Sequence, residues 1–151
     1  MRQNSAQLIA DFVAVAALAG HTIRAEDIRH EFVPAPHARP QLPRGTSAVY
    51  VFSLASDESV VLKVGKVGPK SAARFGSQHY LPASAKSNLA KSVLGEKSVW
   101  PRLGISEVDE TTVGDWLMAN TNRDHFFLSG SQLTHLLEAF LQCRLSPVFE
   151  G

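Results

Sequence analysis

Residues 48–79 read AVYVFSLASDESVVLKVGKVGPKSAARFGSQH, and this stretch restricts the fold more than any other. Ser47–Phe52 and Ser59–Val64 alternate β-branched and aromatic residues with smaller or polar ones, which predicts two strands. The join, LASDES, has turn chemistry, so the strands form an antiparallel hairpin. A turn centred on Ser56 and Asp57 pairs Tyr50 with Lys63 and puts Val49, Val51, Val60, Leu62 and Val64 on the core face. A slip of register by two places Gly65 opposite Tyr50 instead. Beyond a Gly-rich corner, Ser71 opens a helix of about two turns. Arg74 falls in its first turn, where a cation opposes the helix dipole and invites a functional explanation.

The rest of the chain divides around prolines. Asn4 or Ser5 caps a first helix in which Leu8, Ile9, Phe12, Val13 and Ala16 recur at helical spacing, and Gly20 ends it. The FVAVAALA run within it is read as amphipathic helix rather than a secretion signal. Thr22 caps a second short helix through Phe32, with Ile23 and Ile28 inward. VPAPHARPQLPRGT, residues 33–46, holds four prolines and reads as an extended connector. The expected organisation is a helical appendage at 1–32, a linker at 33–46 and the main domain at 47–151. Within that domain, Ser84 or Ser87 starts a helix that ends at Gly95, and Thr111 or Thr112 caps another. His125–Leu128 is a third strand. Ser129 and Gln132 form a capping box for a last helix over 130–145.

Basic charge is collected in one third of the chain. Residues 60–102 carry eight Lys or Arg against Glu96 alone, whereas residues 103–151 carry two against seven acids. That distribution suits a polyanion-binding face. A bland alternative is an intramolecular pairing of the basic third with the acidic third. The lone cysteine, Cys143, leaves no internal disulfide, fits a reducing cytoplasmic location and reads as a small core residue. No run of about 18 apolar residues predicts a membrane span.

Tyr50 stands among Lys63, Lys66, Lys70 and Arg74, a setting for a phosphate ester. Glu138 lies in the otherwise apolar run LLEAFLQCRL; it is either a solvent-facing helix glutamate or a site residue. One carboxylate suffices for a Mg²⁺ ion that also binds water and substrate phosphate. The sequence GKVGPKS is not a phosphate-cradling loop, because Pro69 takes a position that requires a backbone N–H. His135 and Glu138 share a helix face but lack partner ligands elsewhere, and His21, His30 and His37 read as surface residues.

Ala48-Val49-Tyr50, then Lys63-Val64-Gly65-Lys66, then Arg74 and His79, then a late helix with Glu138, resembles the GIY-YIG endonuclease superfamily over about residues 45–151. The tail LLEAFLQCRLSPVFEG is similar to the end of such domains. The resemblance implies an α/β fold with a small, mainly antiparallel three-stranded sheet flanked by helices. It implies a metal-dependent DNA endonuclease with Mg²⁺ or Mn²⁺ as cofactor. Tyr50 would take or relay a proton from the attacking water, helped by Lys63; Arg74 would hold the scissile phosphate; Glu138 would ligate the metal. His79 and Lys66 would be secondary phosphate or relay groups. Lys63 stands where the family usually has a tyrosine, although some restriction-type members carry a lysine there. Lys66, Lys70, Lys86 and Lys91 are the expected nucleic-acid contacts. DNA is the expected partner, no membrane is expected, and the N-terminal helices are the candidate contact for a homodimer. A non-catalytic nucleic-acid-binding module of the same fold is the rival reading.

Overall fold

Asn4 accepts hydrogen bonds from the backbone N–H groups of Ala6 and Gln7 and so opens α1, Ser5–Leu18. The computed structural model describes residues 4–85 and 88–149. Lys86 and Ser87, one a predicted nucleic-acid contact and the other a predicted helix start, lie outside the described residues. α1 buries Leu8, Phe12 and Ala16, as its spacing predicts.

Ile23 and Ile28 are buried, but not in a helix. A single 3-10 turn at Ala25–Asp27 leads instead into a strand, β1, Arg29–Val33. Its sequence, RHEFV, has two faces that a partner strand can use, and pairing overrides the helical expectation. Residues 34–46 form no helix or strand, in keeping with the four prolines.

The hairpin consists of β2, Ser47–Leu54, and β3, Val61–Val67. Its register is the slipped one: Tyr50 faces Gly65, and Lys63 faces Phe52. Pairing shifts between Phe52 and Ser53, leaving Leu62 as an extra residue in β3. That bulge also redistributes the valines. Val51, Val61 and Val64 pack on one face, while Leu62 and Val60 join Tyr50 and Phe52 on the other. The Tyr50 face is therefore not the less apolar face expected from the alternation.

Two short elements follow: α2, Ala72–Gly76, and a 3-10 turn at Gln78–Tyr80. α2 has five residues, so Arg74 also stands in its last turn, and the dipole gives no reason to single it out. α3, Leu89–Gly95, is capped by Asn88, whose side chain accepts from the Lys91 N–H, rather than by a serine. After α4, Trp100–Leu103, and α5, Val113–Asn120, the chain enters β4, Thr121–Leu128. β4 starts four residues before the strand expected at His125. α6, Ser131–Leu145, is preceded by Gly130 in the capping position with no side-chain cap, so the Ser129 capping box does not form.

The sheet has four antiparallel strands in the order β1-β4-β2-β3, not three, and six α-helices surround it among the described residues. On one face, α1 and α6 bury Phe12, Leu137 and Leu141 against Val49, Val51 and Phe126. On the other, Tyr50, Phe52 and Leu62 pack with residues of α2 to α5. α1 and β1, read from the sequence as lying outside the main domain, are thus built into the sheet and its core. The first half of the β3 edge is paired by the C-terminal segment, where Val148 and Phe149 donate to Val61 and Leu62. Cys143 is exposed rather than in the core, and His37 is buried rather than at the surface. No helix among the described residues is long and apolar enough to cross a membrane.

Because Phe12 is fully buried in the core shared with the sheet, Phe12→Ala should lower unfolding free energy by about 3 kcal/mol or more. Urea titration followed by circular dichroism measures this. An unchanged midpoint would show that α1 is dispensable to the fold.

Candidate active site

The central strand β2 carries Tyr50, and the residue across from it has no side chain. The Tyr50 ring occupies that space. A Cβ on Gly65 would lie 2.3 Å from the Tyr50 hydroxyl and 2.6 Å from Cζ. The phenol therefore lies across β3, and its hydroxyl is carried from the centre of the sheet toward the edge.

Two donors meet that hydroxyl. His79 Nε2 is 2.6 Å from it, and Arg74 Nε is 3.5 Å from it. The other nitrogen of His79, Nδ1, accepts the Leu89 backbone N–H at 3.2 Å. A backbone N–H only donates, so the neutral imidazole carries its proton on Nε2 and donates to Tyr50. His79 is thus a donor to the phenol rather than a base toward it. Its pKa is lowered to about 3, first by burial and then by the charges of Arg123, Lys63 and Arg74, which keeps it neutral. The Tyr50 pKa is raised, chiefly by burial; the Arg74 hydrogen bond and charge act against that rise, as does the Arg123 charge. With both donors in place, a phenolate at Tyr50 would have one acceptor direction left for a third partner.

Lys63 lies on the same face as Tyr50, two pairs further along the hairpin. It is 1% exposed, and its ammonium has no hydrogen-bond partner among the described residues. Its pKa is lowered by burial and by Arg74, with Glu138 acting in the opposite sense. Lys66 faces the other way, beside Val49, and forms a short ion pair with Glu138 of α6. Glu138 is mostly buried, so it is not the solvent-facing helix glutamate of the bland reading; it approaches β3 from the face opposite Tyr50.

Between the β3–α2 corner and the start of α6 runs an open groove of about 320 Å³. Arg74, Lys66 and Ser71 line one side and Ser131, Thr134 and His135 the other. Tyr50 is joined to this groove through Arg74, and Glu138 through Lys66. Of the residues singled out in the sequence, Tyr50, Arg74 and His79 come together by direct hydrogen bonds, and Lys66 and Glu138 form a second pair at the same edge. Lys70 is exposed beside Pro69 and Ser71 at the groove rim. Lys91 is exposed on α3 and does not line the groove.

Two residues were missed. His135, set aside for want of partner ligands, lines the groove; its place one turn before Glu138 was the available signal. Arg123 is fully buried on the Tyr50 face, and nothing in TNRD distinguishes it from a surface charge. Among the described residues no group of three or more His, Cys, Asp or Glu could hold a metal, which leaves Glu138 as a single-carboxylate candidate. No protein-family model matches the chain, and no curated protein or solved structure matches it either.

Gly65→Ala should displace the Tyr50 ring, costing about 1–3 kcal/mol of stability and shifting the tyrosine NMR signals; an unperturbed Tyr50 resonance would contradict this geometry. Acid should also destabilise the fold. His79 and His125 are buried neutral, with pKa values of about 3 and about 2 against 6.5 for an ordinary imidazole. Below pH 6.5 the unfolded chain binds protons there that the native state refuses, so stability falls as pH drops toward 3. Denaturant titrations should give a stability lower by roughly 4 kcal/mol at pH 5 than at pH 7. Equal values would place both imidazoles in contact with water.

Proposed function

We propose that this chain is a metal-dependent DNA endonuclease that hydrolyses phosphodiester bonds, a divergent GIY-YIG-like enzyme. The observation that carries the reading is the gathering of Tyr50, Arg74 and His79, 24 and 29 residues apart in the chain, around one phenolic oxygen beside a basic groove. An antiparallel sheet flanked by helices agrees with the general class that the resemblance implies.

In this reading Arg74 binds the scissile phosphate from the groove and offsets charge that develops on it. Tyr50, as phenolate, accepts a proton from the water that attacks phosphorus. The two N–H donors on its oxygen favour the phenolate, and burial opposes it. Lys63 adds a positive charge on the same face. A Mg²⁺ or Mn²⁺ ion would be held by the Glu138 carboxylate, with water and phosphate oxygens completing its shell; when bound it offsets charge on the leaving oxygen. Lys66 must release Glu138 for that to happen, and it then faces the groove as a phosphate contact. Lys66, Lys70 and Arg74 make the groove a track for a DNA backbone.

A second reading has its own support. Full burial of Tyr50 and occupation of Glu138 by Lys66 suit a nucleic-acid-binding module that keeps the fold without cleavage. Supercoiled plasmid separates the two. With Mg²⁺ or Mn²⁺ the protein should nick it, and Tyr50→Phe, Arg74→Ala and Glu138→Ala should each lower the rate by about 100-fold or more. Nicking left unchanged by all three substitutions would refute the nuclease. Salt-dependent DNA binding without metal-dependent turnover would establish the binding module. The rate should also climb with pH on the alkaline side of neutrality as the raised Tyr50 pKa is approached.

A further inference from the structure

Arg74 and His79 must be held in place, yet the elements that carry them are weak. α2 has five residues and no side-chain cap, and His79 sits in a three-residue 3-10 turn. Elements this short are not stable alone. A buried guanidinium lies beneath both. Arg123 stands on β4, between Val33 of β1 and Phe52 of β2, facing the same side as Tyr50. Its Nη2 donates to the carbonyl oxygen of Phe75, the residue after Arg74, at 2.9 Å. Its Nη1 donates to the hydroxyl of Tyr80, the residue after His79, at 2.8 Å.

Among the described residues the charge is not balanced by a carboxylate hydrogen-bonded to it. Four aromatic rings surround it instead: Phe52 at 4.5 Å, Phe75 at 4.9 Å, Tyr50 at 5.6 Å and Tyr80 at 5.9 Å. Ring faces attract a cation, and a weakly hydrated guanidinium suits such a cage better than an ammonium. Burying an unpaired charge is nonetheless expensive. Hydrophobic packing alone would be served by leucine or methionine. What a guanidinium adds is two N–H arms at a fixed angle, one for each short element.

We propose that Arg123 is a positioning residue of the Tyr50 cluster: by tying Phe75 and Tyr80 to the sheet, it sets Arg74 and His79 at the distances from which both donate to the phenol. Its effect on turnover rests on the nuclease reading; its effect on the geometry of Tyr50 does not.

The chain has two tyrosines, so ¹³Cζ-tyrosine NMR gives two signals, assigned with Tyr50→Phe. Arg123→Lys keeps the charge but cannot span both acceptors with one planar fork. In that variant the Tyr50 signal should shift or broaden while the far-ultraviolet circular dichroism stays native. In the plasmid assay kcat should fall by about 10- to 100-fold with KM within about twofold, because misplacement affects turnover more than binding. Tyr80→Phe removes one arm and little volume, and should move the Tyr50 signal in the same sense. This variant decides the matter where Arg123→Lys does not fold. A folded Arg123→Lys, or failing that a folded Tyr80→Phe, with an unmoved Tyr50 signal overturns the proposal. A shifted Tyr50 signal in a protein whose wild type cuts nothing upholds the positioning role and rejects the nuclease alone.

Discussion

The contact between the Tyr50 ring and Gly65 is the constraint on which the site depends. A tyrosine on the central strand of a sheet would ordinarily end within the core above its own strand. Here the neighbouring strand offers a bare backbone opposite it, and the ring lies down across that gap. The hydroxyl thereby comes within reach of Arg74, which lines the open groove at the β3–α2 corner. With a side chain at 65, the phenol would have to shift from the place where Arg74 and His79 meet it.

Electrostatics around that hydroxyl are unusual in sign. Arg123 and Lys63 are buried on one face with no carboxylate among the described residues hydrogen-bonded to either, and the two imidazoles beside them, His79 and His125, are held neutral. Neutral imidazoles are the expected response to a cationic neighbourhood, since a further charge would be repelled as well as desolvated. A core that holds two basic side chains in this way is less stable than an apolar one of the same volume. Such an arrangement makes physical sense where an anion forms or binds. A phenolate and a phosphodiester are the two anions that the proposed chemistry would bring to this corner.

Much of the fold was legible from residue type and spacing. Asn4, the Leu8-Phe12-Ala16 stripe, both hairpin strands and the ends of the α3 and α6 helices follow from local chemistry. Gly65 opposite Tyr50 was one of two registers that the turn allowed, and the choice depends on the extra residue at Leu62. A bulge is decided by how two packed faces share their valines and leucines, which no local pattern records. β1 was hidden for a similar reason: RHEFV becomes a strand only because β4 presents an unpaired edge. At the site, Tyr50, Arg74 and His79 were found as types in a suggestive order. Their mutual hydrogen bonds were not foreseeable, because they rest on how two short elements, α2 and the turn at Gln78–Tyr80, dock on the sheet, and no local pattern records that.

The Lys66–Glu138 pair gives the corner two states on the nuclease reading. Closed, the ammonium neutralises the carboxylate, and neither is offered to a ligand. In that reading Glu138 would exchange the ammonium for a divalent ion, and Lys66 would exchange the carboxylate for a phosphate in the groove it already lines. Either exchange alone leaves one of the two half-buried charges without its partner, which is unfavourable. Metal and phosphodiester should therefore each strengthen binding of the other, by the same factor in both directions. A site with one carboxylate has weak intrinsic affinity for Mg²⁺, and this coupling would confine metal binding to the moment when a substrate is present. The weakness of a single glutamate as a metal site is then consistent with catalysis, because the substrate supplies the remaining negative charge.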